Sequence, residues 1–212
     1  DGRHALDLPL DRIPQLDEVT AALAPLSGFE YRPAAGLVPL REFYGSLADR
    51  AFWSTQYIRH HSVPLYTPEP DVFHDLYGHL PFFTDRRYAD FNQWFGETAL
   101  LDLKHPTQLR TWERLYWFAL EFGMLETPAG LRIWGAGIAS SFGECAYSLS
   151  HQGGPERVPF DLGTVQAHEF RIDEMQKRLF VFRSRQELFD IQQRLTRVQP
   201  SMAAERPATR VN

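Results

Sequence analysis

The chain of 212 residues is 43% hydrophobic and 14% aromatic and has a formal net charge of −5. This length suits one domain with a sizeable core, and the mild acidity argues against a nucleic-acid-binding protein, which usually has a basic face. The longest apolar run, residues 115–120, is too short to span a membrane. Because Cys145 is the only cysteine, a disulfide within the chain is excluded, and a cytoplasmic location without a secretion leader is expected.

Hydrophobic periodicity and turn residues predict a mainly α-helical fold with a small β-sheet. Helices are predicted over residues 17–26, 41–60, 71–76, 85–95, 108–124, 139–149 and 185–195. Strands are predicted at 131–134 and 179–182, and loops rich in proline and glycine at 29–40, 62–70 and 150–163. These elements predict one domain over residues 1–212, with a core of about 13–195 and a flexible tail at 199–212.

Two histidines, His74 and His79, stand five residues apart after Asp71. Five residues of α-helix turn through about 500°, so the two side chains would diverge on a continuous helix. Gly78 suits the end of a helix, and we expect the helix to break there so that the imidazoles can converge. The histidine pair alone is modest evidence for a metal site, since its spacing differs from that of the zinc proteases.

Glu121 lies within the apolar segment 115–122, which predicts a buried helix. A buried carboxylate is costly without a charged or donor partner, so an arginine or a metal ion is expected beside it. Two histidines and one carboxylate make the facial triad of non-haem Fe(II) oxygenases, which leaves positions open for dioxygen. A zinc or iron hydrolase uses the same ligands with a water molecule, so the triad alone leaves both classes open.

Four motifs, in family order, resemble the biopterin-dependent aromatic amino acid hydroxylases, and the resemblance covers about residues 13–195. The motifs are Gln56-Tyr57-Ile58-Arg59-His60, residues 66–71 (YTPEPD) with the two histidines, residues 115–123 (LYWFALEFG) and residues 135–144 (GAGIASSFGE). The segments around 73–76 and 171–173 resemble the bacterial phenylalanine hydroxylases more than the animal ones. The resemblance implies the fold of that family's catalytic domain for this chain.

The resemblance also implies the roles of residues around the metal and the substrate. The expected ligands of an Fe(II) ion are His74, His79 and Glu121. Arg59 is expected to bind the carboxylate of the amino acid substrate, a task that suits a planar guanidinium. Thr67 and Ser140 are expected to hold the backbone of the same substrate.

A tetrahydropterin cofactor is expected beside a loop that contains Gly36 and Val38. Phe43 matches the family's aromatic residue that stacks on the pterin ring. Asp75 takes the place of the glutamate that commonly follows the first histidine, and its shorter side chain puts a contact with the pterin in doubt.

The activity that the resemblance implies is hydroxylation of the ring of a free amino acid with Fe(II), tetrahydropterin and O2. Trp117 favours phenylalanine, converted to tyrosine, because family members that act on tryptophan generally have phenylalanine at this position. The apolar Ile172 supports the same choice. Hydroxylation of phenylalanine at another ring carbon, hydroxylation of tryptophan, and a metal-dependent hydrolase with the same triad remain alternatives.

Animal members of this family add an N-terminal regulatory domain and a C-terminal tetramerisation helix. Neither is expected here, because the last predicted helix has too few heptads for a coiled coil. The expected state is a monomer whose partners are the amino acid, O2 and the pterin, without nucleic acid or membrane.

Overall fold

A computed structural model describes residues 2–9, 11–62, 64–65 and 69–198. The α-helices are α1 (Gly2–Leu6), α2 (Leu16–Ser27), α3 (Leu40–Ala48), α4 (Leu80–Phe83), α5 (Arg86–Leu101), α6 (Pro106–Tyr116), α7 (Ala136–Ala139), α8 (Phe142–Leu149), α9 (Leu162–Ala167) and α10 (Arg185–Val198). Two π-helices, π1 (His74–His79) and π2 (Trp117–Glu121), precede α4 and follow α6. The strands are β1 (Glu30–Ala34), β2 (Ala51–Thr55), β3 (Met124–Thr127), β4 (Gly130–Ile133), β5 (Glu156–Pro159) and β6 (Arg178–Phe182).

The strands form two small sheets, so the predicted fold class is confirmed. β1 and β2 pair in parallel, with Glu30 opposite Ala51 and Ala34 opposite Thr55. The second sheet has the order β4-β3-β6-β5; β3 and β4 form an antiparallel hairpin, and β6 runs parallel to both β3 and β5. The predicted strand at 179–182 is the central part of this sheet, and its apolar side chains are buried.

Helix α5 is the longest helix of the core and shows how the sequence specifies its place. Its N-terminus is capped by Asp85, whose side chain accepts a hydrogen bond of 2.9 Å from the backbone N–H of Arg87. Residues at helical spacing, among them Tyr88 and Phe95, are buried. The ring of Phe95 packs 6.1 Å from that of Tyr44, which joins α5 to α3.

The prediction of one helix over 41–60 is wrong. Helix α3 ends at Ala48, and Arg50, with a φ of +57°, turns the chain into β2. The residues of β2 have helical spacing, but pairing with β1 and burial on both faces outweigh this local preference. The predicted loops at 29–40 and 150–163 contain strands β1 and β5. Their parallel partners, β2 and β6, follow more than 20 residues later in the sequence, with Glu30 opposite Ala51 and Glu156 opposite Arg178.

The other predicted helices and strands coincide with described elements whose bounds differ by up to six residues, whereas α1, α4, α9 and β3 were not predicted. The predicted tail at 199–212 lies outside the described residues. The described helices include none with the length and hydrophobicity needed to cross a membrane.

Candidate metal centre and adjoining cavity

The two histidines of the predicted metal site lie at the ends of π1. In a π-helix the backbone hydrogen bonds join residues five apart, and the two Nε2 atoms are 3.0 Å from each other. The predicted break at Gly78 is therefore wrong, because π1 continues directly into α4. Gly78 has a different function: a Cβ at this position would lie 2.7 Å from the carbonyl oxygen of Ala136, so glycine lets α7 approach π1.

Glu121 ends π2, and its carboxylate meets both imidazoles. Its Oε1 is 2.9 Å from the Nε2 of His79, and its Oε2 is 3.7 Å from the Nε2 of His74. The three ligand atoms lie within 4.8 Å of one another, and this is the only such cluster of at least three residues in the described chain. Gly135 allows this arrangement, since a Cβ there would lie 2.1 Å from the Glu121 carbonyl oxygen.

The surroundings of His74 leave its Nε2 free to bind a metal. The hydroxyl of Ser140 donates to the carbonyl oxygen of Ala136 at 2.8 Å, so it accepts the hydrogen bond of 2.8 Å that joins it to Nδ1 of His74. The proton is therefore on Nδ1, and Nε2 presents a lone pair. Burial lowers the pKa of His74 to about 4, which keeps the ring neutral at physiological pH.

The carboxylate of Glu121 supplies the negative charge of the cluster. Burial raises its pKa, but the interactions with His79 and then His74 outweigh burial, so the net pKa lies below the ordinary value. The Nε2 of His79 donates a hydrogen bond to the Glu121 carboxylate, so it presents a lone pair to a metal only when that proton moves to Nδ1. The Nε2 of His74 and the carboxylate oxygens are already acceptors that face the same point. This donor set fits Fe(II) with open coordination positions, and it also fits zinc.

A buried ion pair connects the predicted substrate arginine to the metal helix. The guanidinium of Arg59 donates from Nε and Nη2 to the two oxygens of Asp71, at 2.9 and 2.7 Å. The same carboxylate accepts from the backbone N–H of Arg59 at 2.8 Å and of His74 at 3.0 Å. The ring of Phe73 lies 5.1 Å from the guanidinium carbon. Arg59 is thus held rigidly, and its Nη1 takes part in none of these bonds.

A cavity of about 180 Å³ adjoins the metal cluster. The predicted site residues that line it are Gly36, Val38, Phe43, His74, Asp75, His79 and Glu121. The ring of Phe43 packs edge-on against Tyr116, at 5.2 Å and an angle of 86°, so its plane is fixed. The cavity therefore joins the predicted pterin residues to the predicted metal ligands.

Asp75 is anchored on β2 rather than free in the cavity. Its Oδ2 accepts hydrogen bonds from the backbone N–H and the hydroxyl of Thr55, at 2.8 and 3.0 Å, and from the hydroxyl of Ser54 at 3.2 Å. Burial raises the pKa of Asp75 to about 6, although these donors oppose the shift. Its Oδ1 makes none of these bonds.

Trp117 is held between two other rings at the start of π2. Its ring stacks on Phe122 at 4.6 Å and on Phe170 at 4.5 Å, with an angle of 15° to the second. It is not part of the lining of the cavity described above, so its role as a selector of the substrate ring stays a prediction.

Two further predicted site residues do not contribute to this geometry. Ile172 is 52% exposed, and Thr67 lies outside the described residues.

Sequence reasoning missed several residues of the site. Phe52 and Trp53 line the cavity, but they belong to β2, which the periodicity predicted as helix. Asp71 was not assigned a role, although an aspartate three residues before His74 is typical of a helix N-terminus. No sequence pattern indicated that the carboxylate of Glu144, in the fourth motif, is buried.

Comparison with known proteins agrees with this geometry. The model of the biopterin-dependent aromatic amino acid hydroxylase family matches residues 5–205. The phenylalanine-4-hydroxylase of Bos taurus is 44% identical over 175 residues, which are 82% of this chain and 38% of that protein. The phenylalanine-4-hydroxylase of Caulobacter vibrioides is 41% identical over 190 residues, 90% of this chain and 64% of that protein.

Among solved structures, phenylalanine hydroxylase of Chromobacterium violaceum with bound iron(III) and oxidised 7,8-dihydrobiopterin superposes with a TM-score of 0.85 and 36% identity. The match covers 100% of this chain and 76% of that chain. The chain spans little more than a third, 38%, of the length of the Bos taurus protein.

Proposed function

Because the chain belongs to the biopterin-dependent aromatic amino acid hydroxylase family, we propose that it hydroxylates free phenylalanine to tyrosine with Fe(II), tetrahydropterin and O2. The observation that carries this proposal is the convergence of His74, His79 and Glu121 at the wall of a cavity that Phe43 also lines. When bound, the iron and the tetrahydropterin supply the electrons that activate O2 for insertion of one oxygen atom into the ring.

In this proposal the metal is held by both Nε2 atoms and the carboxylate of Glu121. Ser140 keeps the proton of His74 on Nδ1, where it accepts the hydrogen bond of 2.8 Å. Both π-helices present their ligands from a continuous backbone packed on α7, so the three donor atoms are held in place before any metal arrives.

The substrate carboxylate binds to Arg59, whose Nη1 remains for the ligand once Asp71 has taken Nε and Nη2. Thr67 and Ser140 are the further contacts proposed for the substrate backbone. Trp117, one helical turn before Glu121, forms a rigid wall because it is stacked between two phenylalanine rings. A rigid wall of this size leaves room for a six-membered ring and crowds an indole.

The pterin binds in the cavity, on the face of the Phe43 ring, beside the loop of Gly36 and Val38. The edge-on contact with Tyr116 fixes the plane of Phe43 and leaves the ring ready for stacking. Asp75 is held by Thr55 through Oδ2, so its Oδ1 is the atom available to the cofactor side. The protein thereby holds ring, pterin and metal near one another and excludes water.

The test is to load the purified protein with Fe(II) and tetrahydrobiopterin and to supply phenylalanine, tyrosine and tryptophan separately in air. We expect O2 uptake with phenylalanine and tyrosine as the product, identified by mass spectrometry against standards of the three ring isomers. Protein loaded with zinc is the control and should form no product. A preference for tryptophan, another tyrosine isomer, or hydrolysis without O2 uptake would contradict the proposal.

We also propose that the chain is a single catalytic domain that acts as a cytoplasmic monomer. Cys145 is free, as suits a reducing compartment. The apolar residues Leu188, Phe189 and Ile191 of α10 are buried within the chain, and Phe189 packs 6.0 Å from Phe91 on α5. Light scattering after size-exclusion chromatography should give the mass of one chain, and a dimer mass would contradict the monomer.

A further inference from the structure

Glu144 is a buried carboxylate that the proposed reaction does not use. It lies in the first turn of α8, and only 1% of the residue is exposed. Neither Oε1 nor Oε2 has a hydrogen-bond partner within the described part of the chain. Burial raises the pKa of Glu144 to about 7, because water no longer stabilises the ionised form. An unpaired carboxylate in the interior is costly, so its presence requires an explanation.

The other carboxylates that the described residues place in the interior all have donors from the protein. Asp71 accepts from Arg59, Asp75 from Thr55, Asp102 from the indole of Trp112, and Glu121 from His79. Glu144 alone among them lacks a donor. If it is to be ionised, its counter-charge has to come from a bound molecule.

The position of Glu144 indicates which molecule this is. Its backbone N–H donates to the hydroxyl of Ser141 at 3.2 Å. Ser141 directly follows Ser140, the residue whose hydroxyl contacts the metal ligand His74. Glu144 therefore lies four residues after the residue proposed to hold the substrate backbone, across the junction between α7 and α8.

The loop that follows Arg59 also reaches this helix terminus. The carbonyl oxygen of Leu65 accepts from the hydroxyl of Ser141 at 2.7 Å and from the backbone N–H of Gly143 at 3.1 Å. The chain that carries the carboxylate-binding arginine is thus fastened to the first turn of α8. The N-terminal end of a helix also favours an ionised carboxylate.

We propose that Glu144 binds the α-ammonium group of the amino acid substrate. The inference rests on the proposed function, because it concerns the same substrate. A free amino acid carries a carboxylate and an ammonium group, and Arg59 can satisfy only the carboxylate. Asp71 is already engaged by Arg59 and by the backbone of His74, which leaves Glu144 as the unpaired anion. The ammonium group is the charge-assisted donor that this carboxylate lacks.

The proposal predicts that Glu144 selects for ligands with an ammonium group. The experiment measures Kd by calorimetry under argon, on protein loaded with Fe(II) and tetrahydrobiopterin. The two ligands are L-phenylalanine and 3-phenylpropanoate, which keeps the ring and the carboxylate but has no ammonium group. We expect the wild type to bind L-phenylalanine at least about tenfold more tightly.

The variant Glu144→Gln keeps the shape of the side chain and removes its charge. It should reduce the preference for L-phenylalanine by about tenfold and leave the Kd of 3-phenylpropanoate within about twofold of the wild type. Glu144→Asp should retain part of the preference. Glu126→Gln, at an exposed position of β3, is the matched control and should bind both ligands as the wild type does.

A packing role for Glu144 would weaken both ligands together or neither, and either result would overturn the proposal. So would a wild type that binds both ligands equally, a measurement that does not depend on how the variants fold. If the wild type converts phenylalanine to tyrosine but the preference does not depend on Glu144, only this inference fails. If the preference depends on Glu144 but no product forms, only the assigned reaction fails.

Discussion

Asp71 binds the guanidinium of Arg59 through two hydrogen bonds of 2.7 and 2.9 Å, and both side chains are almost fully buried. Because Asp71 also accepts from the backbone N–H of His74, one carboxylate sets the position of both the substrate arginine and the first metal ligand. Substrate recognition and metal binding therefore share a single rigid support.

The first prediction concerns this arginine. Arg59→Lys keeps the positive charge but loses the planar fork, so the ion pair with Asp71 can no longer leave a donor oriented toward the substrate. We expect KM for phenylalanine to rise by about tenfold or more, while iron content measured by atomic absorption stays at the wild-type level. Unchanged kinetics with phenylalanine would remove Arg59 from the substrate site.

The second prediction concerns the metal ligands. Single substitutions of His74, His79 or Glu121 by alanine should abolish iron binding and hydroxylation. The helical circular dichroism should stay close to that of the wild type, because the packing of both π-helices on α7 involves their backbone and glycines. Near-normal iron in Glu121→Ala would exclude Glu121 from the ligand set.

The third prediction concerns the hydroxyl that orients His74. Ser140→Ala removes the acceptor that keeps the proton on Nδ1, so iron affinity should fall by about 10- to 100-fold. Competition with a chelator measures this affinity directly. Ser148→Ala removes another buried hydroxyl, which donates to the Cys145 carbonyl oxygen at 3.2 Å, and should leave iron affinity unchanged. Equal losses in both variants would point to a general effect on α8.

The fourth prediction concerns the ring that the enzyme accepts. Trp117→Phe shortens the wall stacked between Phe122 and Phe170, which should make room for an indole. The ratio of kcat/KM for tryptophan to that for phenylalanine should rise by about tenfold, or ~1.4 kcal/mol of differential transition-state binding. If both activities fall together, Trp117 serves only to pack the core.

The fifth prediction concerns pH and stability. Burial raises the pKa of Glu144 to about 7 from the ordinary value of 4.5. Between these two values the native state holds a proton that the unfolded state has released, so the stability contributed by this group falls as pH rises from about 4.5 to 7.

Glu144→Gln removes this titration. Urea unfolding without amino acid substrate measures the free energy of unfolding of both proteins. Between pH 5 and pH 8 this free energy should rise in the variant relative to the wild type by on the order of 2 kcal/mol. Comparing the two proteins at each pH cancels the titration of the histidines, which both retain. A difference in unfolding free energy that does not change with pH would mean that Glu144 is ionised throughout.

Local sequence was sufficient for the family motifs, the three candidate ligands, the burial of residues 115–120 and the strand at 179–182. Each of these features depends on the types of residue within one short segment and on the spacing between them, so the sequence alone contains the information. The convergence of His74 and His79 was also expected, but for the wrong reason: five-residue spacing on an α-helix required a break, whereas the chain forms a π-helix without one. An i→i+5 helix is rare enough that periodicity alone does not indicate it.

Contacts between distant segments decided the rest. β2 has helical spacing and becomes a strand because β1 supplies its hydrogen-bond partners, and β5 exists because β6 lies beside it. The same holds for the carboxylates. Asp71 and Glu144 both lie within four residues of a predicted site residue, His74 or Ser140. Asp71 accepts two hydrogen bonds from Arg59, whereas Glu144 has no donor among the described residues. Burial and hydrogen bonding are properties of packed neighbours, so only the folded chain distinguishes the two.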